Sequence, residues 1–112
     1  MVPAKCNGAW ACYAWDMKDH IANIIDPSAG QIDEDFIVMM HSSTIRLLGL
    51  CLSYCVANLF TGWDLDLGDF KKVIRLSDRP CHRSDSGIYT LYCMKNFEGT
   101  SKIHTSEVSY TH

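Results

Sequence analysis

The side chains of this 112-residue chain that could do chemistry are six cysteines, five histidines, an Asp set before a Pro, and a Ser at the head of a periodic apolar run. Zinc needs close ligand pairs such as Cys-x2-Cys. Here Cys6 and Cys12 lie six apart, Cys51 and Cys55 four apart, and Cys81 and Cys93 stand alone, so neither a metal site nor any other cofactor is expected. A disulfide framework requires a secretory context. The opening Met1-Val2-Pro3-Ala4-Lys5-Cys6 has no apolar stretch behind a basic start, so the thiols are expected to be reduced and the protein intracellular, with nucleus and cytoplasm undecided. Cys51 and Cys55 read as small apolar residues on the buried face of a helix. Asp26 reads as a turn residue closing a strand before Pro27, and Asp85 and Ser86 as helix N-caps. Among the histidines only His82 is near Ser86 in sequence. Four residues around a turn is not the approach from a neighbouring strand that a general base needs.

These residues must be positioned by a small number of elements. The run Ala9-Trp10-Ala11-Cys12-Tyr13-Ala14-Trp15 is almost continuously apolar, and a polar turn from Asp16 to His20 separates it from Ile21-Ala22-Asn23-Ile24-Ile25. That pattern predicts a hairpin of two strands buried on both faces, central in a sheet covered by helices. Pro27 ends the second strand. Acidic Asp33, Glu34 and Asp35 suit a helix N-terminus, and apolar residues then recur at Ile37, Met40, Ile45, Leu48, Leu52, Cys55, Val56 and Leu59. A long helix is expected over residues 33–60, with a break near Ser42-Ser43 or Gly49, and Gly62 as its stop. The apolar stretch 47–60 follows Arg46, contains Ser53 and Asn58, and is shorter than the ~20 residues a bilayer span needs, so it is expected to be a core helix. Residues 63–72 read as an acidic loop or short helix, Val73 to Leu76 as a strand, and Ser86 to Gly99 as a second helix. The last dozen residues read as a frayed tail.

The order of these elements and three short segments resemble the C-terminal half of the ubiquitin-like-protein-specific cysteine proteases, the SUMO-deconjugating family, in its plant-type form. Val2-Pro3 followed by Asn7-Gly8-Ala9-Trp10 is similar to the segment in which a His-Trp pair opens the catalytic strand, with Ala9 at the His position. Ile24-Ile25-Asp26-Pro27 is similar to the next strand end, where the family keeps the Asp that orients the His. Pro80-Cys81-His82-Arg83-Ser84-Asp85-Ser86-Gly87-Ile88-Tyr89 is similar to the Gln-containing turn leading into Asp-Cys-Gly, with Ser86 at the nucleophile and Pro80 at the oxyanion Gln.

The resemblance implies an α+β, papain-like fold of which residues 1–99 are the C-terminal part, the N-terminal part being missing, with residues 100–112 a polar tail. It also implies a cysteine peptidase ancestry with catalysis lost. Asp26 stays at the orienting position but has no imidazole across from it at Ala9, and a Ser hydroxyl at a helix N-terminus does not ionise without a positioned base. Trp10 and Gly87 are the positions that would bind the C-terminal diglycine tail of a ubiquitin-like protein, weakly. Trp10 also reads more plainly as a buried aromatic of a central strand. Loss of the N-terminal part would leave one face of the Trp10 to Trp15 strand without cover. A noncatalytic binding module and a truncated copy without function are the alternatives. Ten basic against thirteen acidic residues, net charge −3, leave no basic patch for nucleic acid, and no membrane partner is expected.

Overall fold

The computed structural model describes residues 1–6, 8–28, 34–62, 65–77, 80–96 and 105–111. The chain is α+β: a mixed five-stranded sheet in the order β1-β2-β3-β4-β5, with one long helix and one short one. The strands are β1 (Val2–Cys6), β2 (Ala9–Asp16), β3 (Ile21–Asp26), β4 (Lys71–Ser77) and β5 (Thr105–Thr111). The helices are α1 (Glu34–Leu59) between β3 and β4, and α2 (Ser86–Asn96) between β4 and β5.

The β2–β3 hairpin is antiparallel and lies inside the sheet, as its apolar runs require. Its turn is held by the Asp16 carboxylate, which accepts from the backbone N–H groups of Lys18 and Asp19, and by His20 in a left-handed conformation, φ 55°. The His20 ring stacks on Phe70 with centroids 5.0 Å apart, and its carbonyl accepts from Lys71 N–H, which anchors the turn to the start of β4. β3 and β4 are parallel, so the chain must cross over between them, and α1 is that crossover.

Alternation along the strands separates two cores. Ala11 and Tyr13 of β2, Ala22 and Ile24 of β3, and Ile74 and Leu76 of β4 point toward α1, where Ile37 and Ile45 meet them. The intervening Cys12 and Ile25 point the other way and pack on Cys93 and Met94 of α2. Helices therefore lie on both faces of the sheet.

Several expectations need correction. α1 runs unbroken from Glu34 to Leu59: Ser42 bonds back to the carbonyl of Val38 inside the helix, and Gly49 is buried where α1 approaches Trp15 and Leu67. Gly62 does take a left-handed φ of 86° after the helix. Lys71 and Lys72 belong to β4, and the preceding loop holds a single 3-10 turn, Leu67–Asp69, capped by Asp66. The tail is not frayed over residues 105–111, which pair with β4 along its whole length. Val2–Cys6 is a strand in its own right, pairing with β2. The part of the second helix expected at residues 97–99 lies outside the described residues.

Burial also departs from the reading. Cys51 and Cys55 are exposed, although Cys55 lies about five turns beyond the buried Ile37 on the same stripe of α1. The middle of β2 is covered on both faces by α1 and α2, with Ala11, Cys12 and Tyr13 all buried, while Trp10 at its start is partly exposed. Exposed apolar residues sit instead on the helices, at Leu47, Leu50, Tyr54, Leu59, Ile88, Leu91 and Tyr92 among others. α1 is consequently not a core helix over its second half. Counted from Asp35 to Leu59 it is long and apolar enough to cross a membrane, with a mean hydropathy of 1.5, although its inward residues Ile37, His41 and Ile45 belong to the protein core.

Candidate functional site

Two clusters hold the residues that could do chemistry, one on each side of β2.

On the α1 side, Asp26 ends β3 with its carboxylate directed at the helix. His41, one turn from both Ile37 and Ile45 on the inward stripe of α1, places Nε2 2.7 Å from Asp26 Oδ2. Its Nδ1 is 2.8 Å from the Tyr13 hydroxyl. All three side chains are buried. The chain of bonds is complete with a neutral imidazole: Tyr13 O–H donates to Nδ1, and Nε2–H donates to the carboxylate. Ser28 adds two donors to Asp26 Oδ1, its hydroxyl at 3.0 Å and its N–H at 3.1 Å. Burial pushes the Asp26 carboxyl upward, but the bonds from His41 and Ser28 outweigh it and hold the group below the ordinary Asp value. Burial pushes the Tyr13 phenol well above its usual range, so it stays protonated.

The expectation that Asp26 has no imidazole to orient is therefore corrected. The imidazole comes from α1, not from the Ala9 position. An Asp–His–Tyr chain can relay or store a proton, but this one is sealed within the core beside Ile24 and Ile74, and it acts on no atom that a substrate could present.

On the α2 side, Ser86 is the first residue of α2, following a 3-10 turn at Arg83–Asp85. Its hydroxyl donates to the Arg83 carbonyl at 2.7 Å and accepts from the backbone N–H of Trp10 at 2.8 Å. One turn on, the Thr90 hydroxyl donates to the Trp10 carbonyl at 3.1 Å. The sheet explains why α2 is needed here. Extending the β2–β3 register two residues past Cys12↔Ile25 brings Trp10 opposite Pro27, which has no N–H to give and whose carbonyl already accepts from Cys81. Ser86 and Thr90 meet both backbone groups of Trp10 in its place. The two helical hydroxyls thus extend the ladder where the strand has run out.

Trp10 is 39% exposed, not a buried strand aromatic, and its indole lies over Gly87. A Cβ at residue 87 would sit 3.3 Å from the ring, tighter than ordinary van der Waals contact, so the position favours glycine for packing reasons. Ala9, next to Trp10, is buried. The structure thus brings Trp10, Ser86 and Gly87 together on the α2 face, while Ala9, in phase with Ala11 and Tyr13, and Asp26 belong to the α1 face, where His41 lies.

This arrangement leaves Ser86 without the means to attack. It is 0% exposed, its proton is committed to the Arg83 carbonyl, and one of its lone pairs accepts from Trp10 N–H. His82 caps the 3-10 turn, its Nδ1 bonding the hydroxyl of Ser84 at 2.8 Å rather than Ser86. Pro80 offers no side-chain amide at the oxyanion position. Nor do neighbouring thiols substitute for the missing one. Burial, reinforced by the adjacent Cys93 thiol, pushes Cys12 up to about 12, and burial raises Cys93 and Cys81 as well, so all three stay as unreactive thiols near neutrality.

Sequence reasoning missed His41, Tyr13 and Thr90. The signal for His41 was its place on the Ile37–Ile45 stripe, where a polar residue must find a partner. Tyr13 carried the same signal on the Ala11 face of β2. Thr90 gave none, since its partner is a backbone carbonyl eighty residues away. No protein-family model, no curated protein and no solved structure matches this chain.

Proposed function

We propose that this chain is a protease-like domain of the type that deconjugates ubiquitin-like proteins, comprising the C-terminal part of a papain-like fold. In this reading it no longer hydrolyses peptide or isopeptide bonds and keeps only a weak surface for an extended Gly-Gly tail. The reading is supported by the order strand, strand, long helix, strand, helix, and by the meeting of Trp10 with Ser86–Gly87 at the head of α2. The observation that carries the loss of catalysis is the hydrogen bonding of Ser86, which ties the Arg83 carbonyl to the β2 backbone and has no base beside it among the described residues. Its cysteines are free thiols, in keeping with an intracellular setting.

Incubation with precursors and isopeptide conjugates of ubiquitin-like proteins tests the loss of activity. No turnover is expected, and Ser86→Cys alone should restore little, because the members of a catalytic triad act as a unit. Turnover above background that vanishes in Ser86→Ala overturns the reading. For the retained surface, a ubiquitin-like protein ending in Gly-Gly should shift the Trp10 indole N–H resonance only at high concentration, and Trp10→Ala should abolish the effect. An equal response to a partner lacking its two glycines, or none to the mature tail, leaves a domain without that binding function.

A further inference from the structure

The outward side of α1 carries a row of exposed apolar residues that no other described element covers. Met40, Ser43, Leu47, Leu50, Tyr54 and Ala57 alternate at intervals of three and four, the spacing that seats one helix against another. Leu47 is 62% exposed, Leu50 58% and Tyr54 73%, while the residues on the opposite stripe, Ile37, His41 and Ile45, are buried in the protein's own core. From Leu47 to Leu59 the helix has no charged side chain. Such a surface is out of keeping with a soluble helix, whose outward face is ordinarily polar.

We infer that a second copy of this chain covers this face, forming a two-fold dimer in which the two α1 helices pack antiparallel. The stripe is self-complementary in that arrangement. With Leu47 of one copy opposite Leu50 of the other, Tyr54 falls beside Ser43 and Ala57 beside Met40, so that each large residue meets a smaller or a flexible one and the Ser43 hydroxyl gains a phenol as partner. A parallel pairing would set Ser43 against its own copy and lose that bond. Arg46 flanks the stripe and faces only the uncharged half of the opposing helix, so no like charges meet. Antiparallel helices also oppose their dipoles. Ser43 within the stripe and Arg46 beside it favour a second protein surface over lipid acyl chains, which offer neither a polar partner.

The seam is short. At 1.5 Å per residue it spans about 26 Å, and two faces of that length bury on the order of 1,000 Å² in total, at the low end of specific interfaces. The dimer should therefore dissociate at micromolar concentration.

Sedimentation of the full chain from about 5 to about 200 µM, bracketing a micromolar dissociation constant, should show the weight-average mass rising from monomer to dimer. Leu47→Glu and, separately, Leu50→Glu should sediment as monomers throughout, with unchanged circular dichroism, since both positions are exposed in the monomer. Cys51, exposed beside the seam, supplies a second readout: at the upper concentration maleimide should label it several-fold more slowly in the wild type than in Leu47→Glu. A wild type that stays monomeric across the range overturns the inference. So do variants that dimerise as well as the wild type. Flotation with phosphatidylcholine vesicles by a chain that is monomeric without them would assign the face to lipid and overturn it too.

Discussion

Strand β2 is tied to a helix on each of its faces, and the two ties differ in kind. Toward α1, Tyr13 reaches His41 and His41 reaches an ionised Asp26, all within the core. Toward α2, two neutral hydroxyls, Ser86 and Thr90, grip the backbone of Trp10 at the rim of the sheet. The first tie encloses a charge that water cannot reach, and the second replaces ladder bonds that water could also supply. In low dielectric an unmet charge costs far more than an unmet amide. The polar network on the α1 side should therefore dominate stability, although it lies away from the positions that the protease resemblance singles out.

The largest expected effect follows directly. His41→Leu removes the His41 bond from the buried Asp26 carboxylate, and removing one member of a buried pair costs about 3–5 kcal/mol. Urea unfolding followed by far-ultraviolet circular dichroism should show the midpoint fall accordingly. A loss below about 1 kcal/mol, the size of an ordinary hydrogen bond, would mean that the carboxylate is solvated and that the two regions are alike.

Next comes acid. The folded Asp26 carboxyl titrates below its unfolded value, so the unfolded chain takes up a proton first as pH falls. Its stabilising contribution is fully present above the ordinary Asp range near pH ~3.9 and is lost as pH falls through the lower folded value. Unfolding midpoints measured from neutral pH down to about pH 3, below the unfolded Asp value, should drop steeply in the wild type. In Asp26→Asn, which starts less stable, the acid limb should be flatter. Equal slopes would place the acid sensitivity in other carboxylates.

The contrast also marks what the sequence made legible. The β2–β3 hairpin, the long helix and the start of α2 at Ser86 follow from apolar periodicity and capping, which are local. The strand at Thr105–Thr111 was not legible, because its Ser, Thr and His surroundings read as solvent-loving, and only the free edge of β4 makes a strand of them. Exposure of Cys55 was not legible either: it keeps the phase of the buried Ile37, but no α1 residue beyond Leu52 packs on the core, and Leu59 near the helix end is exposed as well. At the site, the helix start at Ser86 could be read from its residue type, but its hydroxyl holds Trp10 N–H and the Arg83 carbonyl instead of capping α2. The pairing of Asp26 with His41 could not, because it joins a strand end to a helix across a core, and no spacing rule encodes that distance.

A smaller effect belongs to Ser86. Ser86→Ala removes the hydroxyl that donates to the Arg83 carbonyl and accepts from Trp10 N–H. Two neutral hydrogen bonds of about 0.5–1.5 kcal/mol each are lost, and part of the Trp10 amide's cost is recovered by water, since Trp10 is partly exposed. A decrease of about 1–2 kcal/mol is expected, clearly less than for His41→Leu. Amide exchange should quicken at Trp10 and the first turn of α2 while Tyr13 and Ile24 stay protected. Equal loss of protection on both faces would show that the two ties are one cooperative unit.

The smallest effect is Thr90→Val, which keeps shape and removes only the hydroxyl that donates to the Trp10 carbonyl. A neutral hydrogen bond contributes about 0.5–1.5 kcal/mol, and a carbonyl at the rim of the sheet finds water more easily than one in the core, so the lower half of that range is expected. The informative measurement is the double change with Ser86→Ala. Both hydroxyls hold one residue, and the first release should already loosen α2 from β2, making the second cost less than it does alone. A cycle of the four proteins by urea unfolding should thus return a coupling of about 0.5 kcal/mol or more, the size expected for side chains sharing a partner. Strict additivity would mean that Ser86 and Thr90 act on Trp10 independently. In that case the head of α2 is held against the strand by the indole of Trp10 over Gly87, and the hydroxyls serve only to satisfy the backbone.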